Sequence, residues 1–145
     1  MSTITAVAYD VEIGQLVDRL MRRVHGDLTR KAHEFDPERI GPAGGMILMA
    51  LADIQPAPMH ELARLMARDK SQVTRVLQSL HGKGMIAREA SSDDGRVCVI
   101  SLTEKGEYMV AKLRRTLTET IETILSPLDA VEREQLTALL RKGVG

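Results

Sequence analysis

The chain has 145 residues, 43% of them hydrophobic and 28% charged, enough for one domain with a real core and too apolar for a disordered chain. Its 20 basic and 20 acidic side chains cancel, so nonspecific, salt-dependent binding to nucleic acid should be weaker than that of a strongly basic protein. One cysteine excludes an intramolecular disulfide, no apolar run reaches the length of a membrane span, and the N-terminus lacks the pattern of a signal peptide; the expected location is the cytoplasm, with no membrane partner.

Aromatic residues make up only 2% while Met occurs eight times, so the core must be aliphatic and thioether, which suits helices. Residues 1 to about 8 read as a loose end. From roughly Asp10 to Ala32 a helical stripe runs through Ile13, Leu16, Val17, Leu20, Met21, Val24 and Leu28. Arg19, Arg22, Arg23, Arg30 and Lys31 on this helix read as a solvated face with ion pairs. Glu38 to Gly41 connects to a helix over about Pro42–Asp53, with Pro at its first position. This helix is apolar nearly all round and so should be buried, with Gly44 and Gly45 permitting close packing or a kink. Ile54 to Pro58 is a turn.

Met59 to Met66 predicts a short amphipathic helix with Leu62, Ala63, Leu65 and Met66 turned inward. The link Ala67-Arg68-Asp69-Lys70 is as short as a helix-turn-helix requires. In the second helix Val73, Val76, Leu77 and Leu80 form the apolar stripe, and Asp69 with Gln72 makes a capping-box-like D-x-x-Q. Ser71, Gln72, Thr74, Arg75 and Gln78 fill its other side, which contains no carboxylate. Gln can pair with adenine, Arg with guanine, and Ser or Thr with bases or phosphates. Gly82 and Gly84 are stop signals, after which MIAREA and VCVISLT read as two strands around the polar loop SSDDGR. From Thr103, a good N-cap, a long helix runs to about Leu125, and a last helix spans roughly Asp129–Lys142. The predicted fold is mainly α with a small β-hairpin wing (α+β), a winged helix-turn-helix.

The stretch DKSQVTRVLQSLHGKGMIARE…DDGRVCVISLTEKG resembles the DNA-binding lobe of the MarR family of bacterial transcription regulators. The likeness is carried by VTR in the helix, L-x-x-x-G before a strand, the wing D-x-R (Asp94, Arg96) and the closing LTEKG. One departure is Pro58, where the family commonly has a Ser or Thr cap, leaving that helix to His60 or to no cap. The resemblance implies a single domain over 1–145, with a winged lobe at about 42–103 and dimerisation helices at about 8–35 and 104–145. It implies a homodimeric repressor on a pseudo-palindromic operator in double-stranded DNA, with half-sites about 10–10.5 bp apart. Ser71 to Arg75 would meet base edges in the major groove, with Gln78 one turn on, and Arg96 would enter the minor groove beside a positioning Asp94. Arg64, Arg68, Lys70 and Arg88 are phosphate candidates, and seven basic against four acidic residues between Leu62 and Arg96 make this stretch locally positive.

The family also implies control by a small anionic or phenolic effector, bound where the first, second and fifth helices meet the winged lobe. His25, Met46 and Met49 are the residues placed there, each of which equally fits core or surface. No cofactor is implied. Cys98 reads as a strand packing residue rather than a redox switch, and the four histidines lack metal-ligand spacing. No catalytic motif occurs, which excludes the common hydrolase, nucleotide-binding and metalloprotease signatures. Two rivals stay open: a constitutive activator without a ligand, and a protein-interaction module using the winged helix as a scaffold.

Overall fold

The computed structural model describes the backbone of residues 2–90 and 98–145 and the side chains of residues 11–90 and 98–145. Among the described residues six helices and three short strands follow one another as α1 (Ser2–Phe35), α2 (Gly41–Ile54), β1 (Ala57–Pro58), α3 (Met59–Leu65), α4 (Lys70–Gly82), β2 (Ile86–Ala90), β3 (Cys98–Leu102), α5 (Glu104–Ile124) and α6 (Ala130–Val144). They form two compact units, residues 32–116 and residues 1–31 with 117–145. The fold is the expected one, mainly helical with a small antiparallel sheet.

In the unit 32–116 the core is aliphatic. Ile47, Leu48 and Leu51 of α2 meet Leu62 of α3, Val73, Leu77 and Leu80 of α4, and Met109, Val110 and Leu113 of α5. Gly44 lets α2 approach closely, since a Cβ there would lie 3.1 Å from the Ile40 side chain and 3.6 Å from Leu80. Asp36, itself buried, holds the start of α2 by accepting from the backbone N–H of Ile40 (2.9 Å) and Gly41 (3.0 Å). The end of α4 turns on Gly84 at φ +75°, as the glycine spacing predicts, with the Met85 N–H returning to the Leu80 carbonyl at 3.0 Å. Thr103 caps α5: its hydroxyl accepts from the Gly106 N–H (3.1 Å) and donates to the Gly84 carbonyl (2.6 Å).

The structure departs from the sequence expectations in several places. The helix α1 starts at Ser2, where a loose end was expected; no Pro or Gly interrupts residues 2–13. The hairpin is one part of a three-stranded sheet in the order β1-β3-β2, because Ala57 and Pro58 pair with Ile100 and Val99 inside the expected turn. Leu65 is 56% exposed rather than inward. The inward face of α3 is centred on Met59, Leu62, Ala63 and Met66, and Leu65 stands more than a quarter-turn away from it. Met46 is exposed on a helix expected to be buried all round. Cys98 is exposed although it shares a strand face with buried Ile100, because it pairs with Ala90 at the outer end of the hairpin. The start of α3 has Pro58 as N-cap with no side-chain bond, so the second of the two options holds.

In the unit 1–31 with 117–145, Asp129 and Glu132 form a reciprocal capping box at the start of α6. Arg133 pairs with Glu122 and so ties α6 to the end of α5. Apolar side chains nevertheless stay in solvent: Val11, Ile13, Leu16, Val17, Leu20 and Met21 on α1, and Val131, Leu139, Leu140 and Val144 on α6.

Candidate nucleic-acid interface

The helices α3 and α4 are joined by a tight turn. Ala67 sits in the left-handed region at φ +50°, with its N–H on the Arg64 carbonyl (3.1 Å) and the Arg68 N–H on the Ala63 carbonyl (3.3 Å). This is the Schellman closure, made here without glycine. Asp69 follows in extended conformation as the N-cap of α4. Its carboxylate accepts the Ser71 N–H at 3.3 Å and the Ser71 hydroxyl at 2.6 Å. The expected capping box with Gln72 does not form: the Asp69 side chain accepts from Ser71, at the second helical position, and Gln72 takes no part. The Ser71 hydroxyl, then its backbone N–H and the charge of Arg75, hold the Asp69 carboxyl below its ordinary value.

Burying Val73, Leu77 and Leu80 fixes which side chains α4 offers outward. Lys70, Ser71, Gln72, Arg75, Gln78 and also Ser79 are exposed. Thr74 differs from the other members of the expected face. It is half-buried, and its hydroxyl donates to the Lys70 carbonyl at 2.8 Å and lies 3.1 Å from the Met59 sulfur. A threonine in that setting packs α4 against α3. Ser79 escaped the sequence reading although it continues the Gln72–Arg75 row at helical spacing.

Arg64, Arg68 and Arg88 are exposed, the last on β2 opposite Ile100. Asp94 and Arg96 lie outside the described residues. His25 and Met46 are exposed, and Met49 is half-buried against the core. Within the unit 32–116 a surface recess of about 130 Å³ is lined by Asp36, Pro37, Glu38, Met85, Lys105, Tyr108, Met109 and Lys112, so neither Met46 nor Met49 faces it. Among the described residues no three His, Cys, Asp or Glu gather as a metal site, and no helix is long and apolar enough to cross a membrane.

Residues 42–98, which hold this helix pair and the strands β1 and β2, match the family model described as MarR family. Over this segment the chain is similar to the MarR family. The structure is similar over most of its length to a probable transcriptional regulator from Pseudomonas aeruginosa, at 28% identity and TM-score 0.72, covering 94% of this chain and 99% of that one. It is also similar to MepR of S. aureus in a structure of the MepR–DNA complex, at 26% identity and TM-score 0.70, covering 90% and 95%. The reduced form of MarR from E. coli shares the fold at 22% identity and TM-score 0.77, covering 91% and 96%.

Proposed function

We propose that this chain is a MarR-family transcription regulator that binds double-stranded DNA as a homodimer and represses from a pseudo-palindromic operator until a small effector releases it. The observation that carries the reading is the outward face of α4. Gln72, Arg75, Gln78 and Ser79 present donors and amides with no carboxylate among them, flanked by exposed Arg64, Arg68, Lys70 and Arg88. Such a row suits base edges in a major groove, with cations beside it for phosphates. MepR, similar over nine-tenths of this chain, is bound to DNA in its structure.

The lobe at about 42–103 would carry the DNA contacts, and the flanking helices the dimer. Support for the dimer comes from α1: an exposed stripe at Ile13, Leu16, Val17, Leu20 and Met21 is a larger apolar surface than an isolated helix normally leaves in water. Arg96 would reach the minor groove, with Asp94 positioning the wing. An anionic or phenolic effector would favour a spacing of the two lobes that cannot span both half-sites, and only that preference can shift the population.

The test is fluorescence anisotropy of the protein on the DNA flanking its own gene and on duplexes selected from a random pool, against scrambled competitor. The expected result is competitor-resistant binding that Arg75→Ala weakens by about 1–3 kcal/mol while the protein stays folded. Binding no better than to scrambled duplex, in both arms, overturns the reading and points to a protein partner. Once binding is established, the same assay screens candidate effectors.

A further inference from the structure

The hydroxyl of Ser71 is polarised by the protein itself. An ionised carboxylate has no proton to give, so in the 2.6 Å contact between Ser71 Oγ and Asp69 Oδ2 the hydrogen must come from Ser71. The contact has the short length typical of a charge-assisted O–H···O⁻ bond. The other carboxylate oxygen is engaged by the Ser71 N–H, which fixes the carboxylate plane against the serine. What Ser71 has left for a ligand is its oxygen lone pairs. The side chain is exposed on the face of α4 that also carries Gln72 and Arg75.

We infer that the Asp69–Ser71 pair is an acceptor-only, specificity-determining unit that selects an exocyclic amine, cytosine N4 or adenine N6, at one base pair of each half-site. The inference rests on the DNA-binding reading above and deepens it. A free serine hydroxyl reads either way and would tolerate a carbonyl or an amine. Here the carbonyl oxygens of guanine O6 and thymine O4 would meet lone pairs next to a negative charge. A phosphate would meet the same repulsion, so Ser71 is excluded from backbone positioning. Thr74 does not share the role, because its proton goes to the Lys70 carbonyl and the side chain is half-buried. On this face the donors are left to Gln72, Arg75, Gln78 and Ser79.

The pair makes an unusual substitution informative. In Asp69→Asn the amide oxygen can keep the cap on the Ser71 N–H, while the amide nitrogen faces the Ser71 oxygen and donates to it. The serine proton is then released outward, and the unit becomes a donor. Asn and Asp are equivalent as N-caps, so the variant should fold like the parent.

The experiment is selection of duplexes from a random pool by the full-length chain, run in parallel for the parent, Asp69→Asn and Ser71→Ala. The parent should enrich cytosine or adenine at one position of each half-site by about tenfold over guanine or thymine. Asp69→Asn should move that preference to guanine or thymine at the same position, and Ser71→Ala should flatten it, with the rest of the motif unchanged. An enriched motif in which all three proteins show the same preference at every position overturns the inference and leaves the DNA-binding reading standing. A pool in which none of the three enriches any motif overturns both.

Discussion

Gly106 carries a test of the packing argument whose sign is opposite to that of helix propensity. It lies in the first turn of α5, where alanine is ordinarily favoured over glycine by about 1 kcal/mol. A Cβ at this position, however, would stand 2.1 Å from the Met85 carbonyl oxygen and 3.3 Å from the Leu102 side chain. The obstructing atom is backbone at the start of the hairpin and cannot rotate aside. To accept Gly106→Ala the first turn of α5 must retreat by roughly an ångström, an overpacking strain of about 1–3 kcal/mol. That retreat also loosens the Thr103 N–H on the Met85 carbonyl (3.1 Å) and the Thr103 hydroxyl on the Gly84 carbonyl (2.6 Å), each worth about 1 kcal/mol. Less the propensity gain, the net loss is about 2–4 kcal/mol, and the melting temperature should fall by about 10 °C. Denaturant melts of parent and variant at one protein concentration measure it. Gly82→Ala, at a helical glycine with open space around it, is the reference and should be neutral or stabilising by up to about 1 kcal/mol. A Gly106→Ala variant as stable as Gly82→Ala would refute the close approach of α5 to the hairpin.

Three further outcomes follow from buried or capped polar groups. The Thr120 hydroxyl is buried without a hydrogen-bond partner among the described residues, so Thr120→Val should gain about 1 kcal/mol in the same melts, and a loss would mean that the hydroxyl is satisfied in solution. Asp36→Ala leaves the Ile40 and Gly41 N–H groups unpaired and should cost about 1–3 kcal/mol, whereas Asp36→Asn, which keeps one acceptor, should cost less. The hydrogen bonds to Asp69 depress its folded-state pKa below the ordinary 3.8. Its cap therefore contributes fully above that value and is lost as pH falls through the lower folded-state value. The stability gap between the parent and Asp69→Ala should be constant near neutrality and close on acidification; a gap that widened in acid would reverse the sign of the argument.

Much of the fold was legible because the apolar periodicity is long and clean where it matters. Val73, Leu77 and Leu80 could be assigned to the core, and the outward face of α4 followed from them by geometry. What escaped had no periodic signal. A strand of two residues, Ala57–Pro58, shows no alternation, and its pairing with Ile100 and Val99 joins positions over forty residues apart. The Gln55 side chain, which accepts the Leu102 N–H at 2.7 Å and extends that edge, is equally non-local. On the short helix α3, Leu65 was misplaced because seven residues define a helical face poorly. Thr74 looked like a member of the outward row because its spacing is close to that of Gln78; only the position of Met59 and the backbone of Lys70 shows where its hydroxyl goes.

Folding and reading are separable along most of α4 and coupled at its start. The side chains of Gln72, Arg75, Gln78 and Ser79 are exposed and make no hydrogen bond among the described residues on which the helix depends, so they can change at little cost to stability. Asp69 and Ser71 are different. One carboxylate both satisfies a backbone N–H that α4 would otherwise leave open and sets the polarity of the hydroxyl beside it. Changing the base that Ser71 selects therefore means changing the cap, and only asparagine keeps the cap while reversing the polarity. If the readout is built in this way, the choice at that base pair is confined by helix stability to two states, amine with Asp69 and carbonyl with Asn, while the rest of the face remains free to vary.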